Sequence, residues 1–190
     1  MESERILFII DIGPGMKEKW SLVKPQLRRG SRSKRVLNKS HLYGIILLGS
    51  FAMWHLDWTK EKSAFNTALD TIHFEREVIP SCDLVGVFND ILPNSVFQAP
   101  EGVVVHPILF YARDTVFPDF PAEHDLQVLY RYLGTFLAQH IESTGNFVFD
   151  SVYLHGEVDE LIREIYTGLQ QLRCDRDDCL SFEMMRNAKR

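Results

Sequence analysis

Asp11 closes a short apolar run, Arg5 to Asp11 (RILFIID), and Ile12-Gly13-Pro14-Gly15 follows it. An aspartate at the end of a buried strand can ligate a metal, orient a phosphate or attack one as a nucleophile. The nucleophile needs a partner acid two residues on, and Gly13 stands there. A dinucleotide fingerprint needs G-x-G-x-x-G opening a helix. Only Gly13 and Gly15 meet that pattern, and Pro14 lacks the N–H that a phosphate cradle uses. A Walker-type G-x-x-x-x-G-K-[ST] is absent. What survives is a stand-alone domain that holds a divalent metal or a phosphate ligand through Asp11.

Seven histidines (41, 55, 73, 106, 124, 140 and 155) invite a search for metal sites. H-E-x-x-H does not occur. His73 and Glu77 would share a helical face at i, i+4, and His140 lies near Glu142, but neither pair has a third ligand close in sequence. A metal site needs three or four convergent ligands, so surface or capping histidines are expected. There is no G-x-S-x-G elbow. The three cysteines, Cys82, Cys174 and Cys179, are an odd number and fit neither a disulfide framework nor a zinc ribbon. Cys174 and Cys179 flank an acidic turn, Asp175-Arg176-Asp177-Asp178, and read as half-buried thiols. The expectation is a chain that is not an enzyme and carries no cofactor.

The elements that must position Asp11 follow from hydrophobic period. Residues 5–11, 42–49, 103–112 and 147–154 are apolar runs that read as buried strands. Gly49-Ser50 is a hairpin turn, sending 52–58 back antiparallel. Pro107 inside the third buried run demands a bulge or a missing ladder bond. Thr59 can cap a helix whose apolar positions are 64, 65, 68, 69 and 72. Further helices are expected at 83–92, 123–142 and 157–172, with a last strand at 179–185. Strands alternating with helices imply a three-layer α/β sandwich, its sheet mostly parallel with one antiparallel edge strand. Ligand chemistry in such sheets sits beyond the carboxyl ends of the strands. Trp54 and Trp58 share one face of the antiparallel edge strand. Leu180, Phe182 and Met184 share one face of the last strand, the other edge. These five are the candidate partner-binding residues.

With 190 residues, 45% apolar and 25% charged, the chain suits one globular domain over 1–190 and excludes a disordered or fibrous protein. Residues 1–5 hold two acids and lack a signal peptide's apolar core. The stretch 42–56 is interrupted by glycine, serine and histidine and is too short to span a bilayer. A reducing compartment is expected, and no membrane partner. Net charge is −5 but uneven. Lys17 to Lys39 holds nine basic residues against Glu18 alone, a block of +8 that leaves −13 elsewhere. Pro25 and Gly30 limit any helix there to a short one, so 17–41 reads as a solvated or protein-facing flexible loop. Its lone aromatic, Trp20, makes no stacking platform, so nucleic acid is not the expected partner.

This layout resembles the von Willebrand factor A domain. There the first loop reads D-x-S-x-S and holds magnesium, with a threonine from a later loop and an aspartate ending the fourth strand. Asp11 matches the first position, while Gly13 and Gly15 stand where the serines would be. Ser81, in Pro80-Ser81-Cys82, aligns with the threonine. Arg113, in Phe110-Tyr111-Ala112-Arg113, aligns with the last aspartate. A guanidinium cannot ligate magnesium. The resemblance therefore implies a degenerate metal site at Asp11, Gly13, Gly15, Ser81 and Arg113. Arg113 is then expected to pair with Asp11, within about 6 Å.

Three stretches are more specific: Ile108-Leu109-Phe110-Tyr111-Ala112-Arg113, Phe147-Val148-Phe149-Asp150-Ser151-Val152-Tyr153-Leu154-His155, and Asn38-Lys39-Ser40-His41. They resemble the von Willebrand A-like subunit of the BRISC and BRCA-A deubiquitinase assemblies over most of 6–185. That family is non-catalytic. It holds a scaffold subunit built of ubiquitin-conjugating-like (UEV-type) domains, while a separate metalloprotease subunit cuts lysine-63-linked ubiquitin chains. The resemblance implies an adaptor in ubiquitin signalling and the DNA damage response, cytoplasmic and nuclear. The family carries a full helix where 17–39 is basic here, and roles of its terminal tails are not carried over.

Overall fold

The computed structural model describes residues 3–77, 84–87, 99–114, 147–156, 159–171 and 181–185. Their elements, in chain order, are β1 (Ser3–Asp11), α1 (Pro14–Leu37), β2 (Leu42–Leu48), β3 (Ala52–Thr59), α2 (Lys62–Asp70), the single turn α3 (Leu84–Gly86), β4 (Val103–Tyr111), β5 (Asp150–His155), α4 (Glu160–Gln171) and β6 (Ser181–Met185). The expected helix at 123–142 lies outside the described residues, as do most of 83–92 and Cys82, Cys174 and Cys179. Among the described residues no helix is long and apolar enough to cross a membrane.

Six strands form one sheet in the order β3-β2-β1-β4-β5-β6. Every neighbouring pair is parallel except β2 with β3, the antiparallel hairpin expected from Gly49-Ser50. The first strand is central because all its residues from Ile6 onward are buried, with apolar side chains on both faces. Ile6, Phe8 and Ile10 join the layer under α1 and α2, and Leu7 and Ile9 join the layer with α3 and α4. The β4–β5 ladder is interrupted between the bridge Val105↔Phe147 and the pair Ile108↔Asp150. Pro107, which has no N–H to give, lies inside that gap.

The segment after Asp11 is the main departure from expectation. It is not a loop with a short helical piece but a 24-residue helix running through Pro25 and Gly30. Met16, Val23, Leu27 and Ser31 are buried at helical spacing, and Trp20 packs edge-on to Phe74 with ring centroids 5.3 Å apart. A proline in a helix interior costs roughly 3 kcal/mol and a glycine about 1. Both breakers lie on the outer face, where Gly30 has nothing within 4 Å of a built Cβ. Ser21, whose carbonyl loses its partner to Pro25, is exposed to water. Burial of the apolar stripe outweighs the local cost.

Two smaller corrections concern α2. Thr59 ends β3 rather than capping the helix; Glu61 holds the cap position, and its N–H donates to Thr59 Oγ1 at 3.0 Å. The helix stops at Asp70, so His73 and Glu77 do not share a helical face.

Candidate functional site

Parallel pairing ends β1 and β4 side by side, and it brings Asp11 and Arg113 together. Arg113 Nε donates to Asp11 Oδ1 at 2.8 Å, and both residues are buried, 0% and 4% exposed. Asp11 Oδ1 also accepts the Gly13 N–H at 2.9 Å, and Oδ2 accepts the Ala112 N–H at 3.2 Å. Both carboxylate oxygens are thus taken by donors of the chain itself. Arg113 Nη2 reaches the Leu48 carbonyl at 3.5 Å and lies 3.6 Å from Glu75 Oε2. The Tyr153 hydroxyl donates to the Arg113 carbonyl at 3.3 Å, tying the loop to β5.

Glu75 is a member of the site that the sequence did not signal. The chain after α2 returns over the strand ends, where the Glu75 N–H donates to the Ile12 carbonyl at 2.8 Å. Burial pushes its carboxyl above the usual range, against the pull of Arg113 and a Ser50 N–H. Gly49 lies beneath it, where a Cβ would come within 2.5 Å of Glu75 Oε1 and would require that carboxylate to shift. On the rim, Asp114 faces Lys19 of α1 at 3.8 Å. Burial raises the Asp114 carboxyl, opposed by Lys19 and His155.

The residues present do not fit a magnesium ion. Asp11 is held in an ion pair, and a permanent cation stands where another carboxylate ligand would be. A Cβ at Gly15 would meet the Ala112 carbonyl oxygen at 2.0 Å, so no serine side chain can occupy that position in this backbone. A Cβ at Gly13 would lie 3.0 Å from Arg113 Nε. Ser81 lies outside the described residues. Among the described residues no other group of histidine, cysteine and acidic side chains gathers as metal ligands.

Three of the described histidines make hydrogen bonds that hold elements together. His55 Nε2–H donates to the Ala68 carbonyl at 2.9 Å, fastening β3 to the end of α2. His41, buried, accepts the Glu4 N–H at Nδ1, 2.9 Å away. His106 sits between Asp150 (2.8 Å) and Glu4 (3.4 Å) near the amino ends of the strands. Its burial favours the neutral ring, but bonds to Asp150 and Glu4 outweigh that and raise its pKa. His124 and His140 lie outside the described residues.

Trp54 and Trp58 do share a face of β3, with ring centroids 5.7 Å apart and edge to face. They pack over Gly44 of β2, where a Cβ would lie 3.1 Å from Trp54 and 3.3 Å from Trp58. Trp58 packs against the core and lies under the Arg5 guanidinium at 5.6 Å, whereas Trp54 is 42% exposed. Phe51, in the hairpin turn, and Met53, which sequence reasoning passed over, are also exposed, at 73% and 51%, with Met53 on the opposite face of β3 from Trp54. At the opposite edge β6 pairs Phe182 with Val152 and Met184 with Leu154. Leu180 lies outside the described residues.

No family model matches the chain, and no curated protein matches it. Solved structures do match. The SpRpn10 VWA domain superposes with a TM-score of 0.64 at 11% identity, covering 100% of this chain and 91% of that one. The conserved hypothetical protein BatB from Bacteroides thetaiotaomicron gives 0.63 at 12% identity, over 97% and 91%. Proximal thread matrix protein 1 of the mussel byssus gives 0.59 at 12% identity, over 96% of this chain and 42% of that one. At such identities the likeness concerns the fold. The strand order, the antiparallel edge and these neighbours together establish a von Willebrand A-like fold.

Proposed function

We propose that this chain is a non-catalytic adaptor in a lysine-63-specific deubiquitinase assembly of the BRISC and BRCA-A type, where it binds the ubiquitin-conjugating-like scaffold subunit. The observation that carries the reading is the Asp11–Arg113 pair. It closes from within the crevice where the metal-binding members of this fold hold their ion. The fold is commonly used for protein–protein interaction. A domain whose crevice is internally neutralised makes such contacts through its outer surfaces. The β2–β3 hairpin supplies one, since Phe51, Met53 and Trp54 expose apolar area at a sheet edge. The short sequence stretches around Arg113, Asp150 and His41 point to the assembly.

The test is co-expression with the UEV-type scaffold subunit from the same organism, followed by light-scattering mass. A stoichiometric complex is expected, and it should be weakened by the double substitution Phe51→Ser with Met53→Ser. Two separate monomer peaks would overturn the adaptor reading.

A further inference from the structure

The basic segment that was expected to be a loop is instead the exposed side of α1, and it forms one wall of a groove. Arg28, Arg29 and Arg32 of α1 face Lys62 and Asn66 of α2 across a cavity of about 450 Å³. Four of these five side chains are long cations. One carboxylate already shows how the region treats an acid: Arg28 Nη2 lies 2.8 and 2.7 Å from the two oxygens of Asp70, which Lys24 also contacts. Arg29, Arg32 and Lys62 have no acidic partner among the described residues. Arg29, Arg32 and Val36 follow each other along one stripe of α1 at i, i+3 and i+7, and Val36 is 79% exposed.

We propose that the α1–α2 groove docks an acidic peptide segment of a partner protein. In this arrangement Arg29, Arg32 and Lys62 pair with its carboxylates, and Val36 receives an apolar residue of the same segment. The partner's charge follows from complementarity with Arg29, Arg32 and Lys62, the lining cations without an acidic partner among the described residues. Guanidinium groups take carboxylates in bidentate geometry. The peptide class follows from shape and from the apolar neighbour. A duplex phosphate ladder has no use for Val36, and a bilayer surface cannot enter a concave site between two helices. Trp20, the segment's lone aromatic, is packed on Phe74 and offers no platform for a base. The site lies on the helical face of the molecule, separate from the crevice, and does not depend on the adaptor reading.

Fluorescence anisotropy tests this with the full chain and a labelled peptide alternating Glu and Leu. A peptide with Gln for every Glu, a labelled DNA duplex and phosphatidylserine vesicles are run beside it. The Glu peptide should bind at least about tenfold more tightly than the Gln peptide, the difference expected for charge-assisted bonds. R29E/R32E should abolish that preference, R29Q/R32Q should weaken it, and R163E on α4 should leave it unchanged. All three sets change exposed residues, and unaltered melting temperatures would show that the fold is kept. Equal binding of the Glu and Gln peptides would overturn the proposal, as would indifference to R29E/R32E. Tighter binding of DNA or vesicles than of the Glu peptide would also overturn it.

Discussion

Arg113 Nε donates to Asp11 Oδ1 across 2.8 Å, joining the ends of two neighbouring strands inside the protein. Breaking a buried pair by removing one partner leaves a charge without compensation and costs about 3–5 kcal/mol. Arg113→Ala should therefore lower the melting temperature by roughly 6–20 °C in a chain of this size. Replacing both members, Asp11→Ala with Arg113→Ala, removes the stranded charge and should cost less than Arg113→Ala alone. Denaturant melts of the single and double variants measure this directly. A double variant less stable than Arg113→Ala would contradict the pairing.

The two glycines of the first loop should respond differently to serine. Gly15→Ser drives a Cβ to within 2.0 Å of the Ala112 carbonyl oxygen, a backbone atom that cannot step aside. It should destabilise by at least about 3 kcal/mol, the upper end of overpacking costs. Gly13 occupies the cap position of α1 with extended backbone, φ −65° and ψ 168°. A serine hydroxyl there can accept a helix N–H, which offsets the tight approach to Arg113, so Gly13→Ser should change stability by less than about 1 kcal/mol. Thermal melts of both variants separate the positions.

The cluster of Glu4, His106 and Asp150 predicts a pH profile. Burial opposes the charged form of Glu4, but bonds to His106 and Lys34 outweigh it and bring its pKa down from 4.5 to about 2. Its contribution is present above 4.5 and lost as pH falls towards 2. The raised pKa of His106 gives a contribution complete below 6.5 and lost as pH rises through its folded value. The cluster is at full strength between 4.5 and 6.5. Buried His41 acts oppositely to His106: its pKa is lowered, so its protonation below 6.5 costs stability. In urea melts, His106→Gln should flatten the loss of stability above 6.5. An unchanged slope would contradict the assignment.

Much of the sheet was legible because continuous apolar runs such as Arg5 to Asp11 have one stable solution, burial on both faces between helices. Asp11 and Arg113 were legible as partners through the resemblance to the von Willebrand A domain, which aligns Arg113 with the aspartate at the neighbouring strand end, and because a buried acid needs a cation. Glu75 was not, because nothing local marks a carboxylate that arrives by a returning loop. Helix α1 was misread through Pro25 and Gly30, whose penalties are local, while the stripe of Met16, Trp20, Val23 and Leu27 that overrides them gains its energy only against the sheet. That spacing of four, three and four was the available signal. It yields a further expectation: Gly30→Ala should stabilise by about 1 kcal/mol and Pro25→Ala by roughly 1–2, the latter less than the full helical penalty because proline also restricts the unfolded chain. Either substitution proving destabilising in thermal melts would argue against a continuous helix.

Magnesium titration of the purified chain, followed by thermal melting, tests most directly the claim that this crevice is closed by its own ion pair. A ligand bound only to the native state at 100 times its dissociation constant stabilises by about 2.7 kcal/mol. For a chain of this size that is a rise of roughly 5–10 °C. The account predicts no saturable rise with magnesium, in the wild type or in Asp11→Asn. A saturable rise in the wild type that Asp11→Asn abolishes would contradict it.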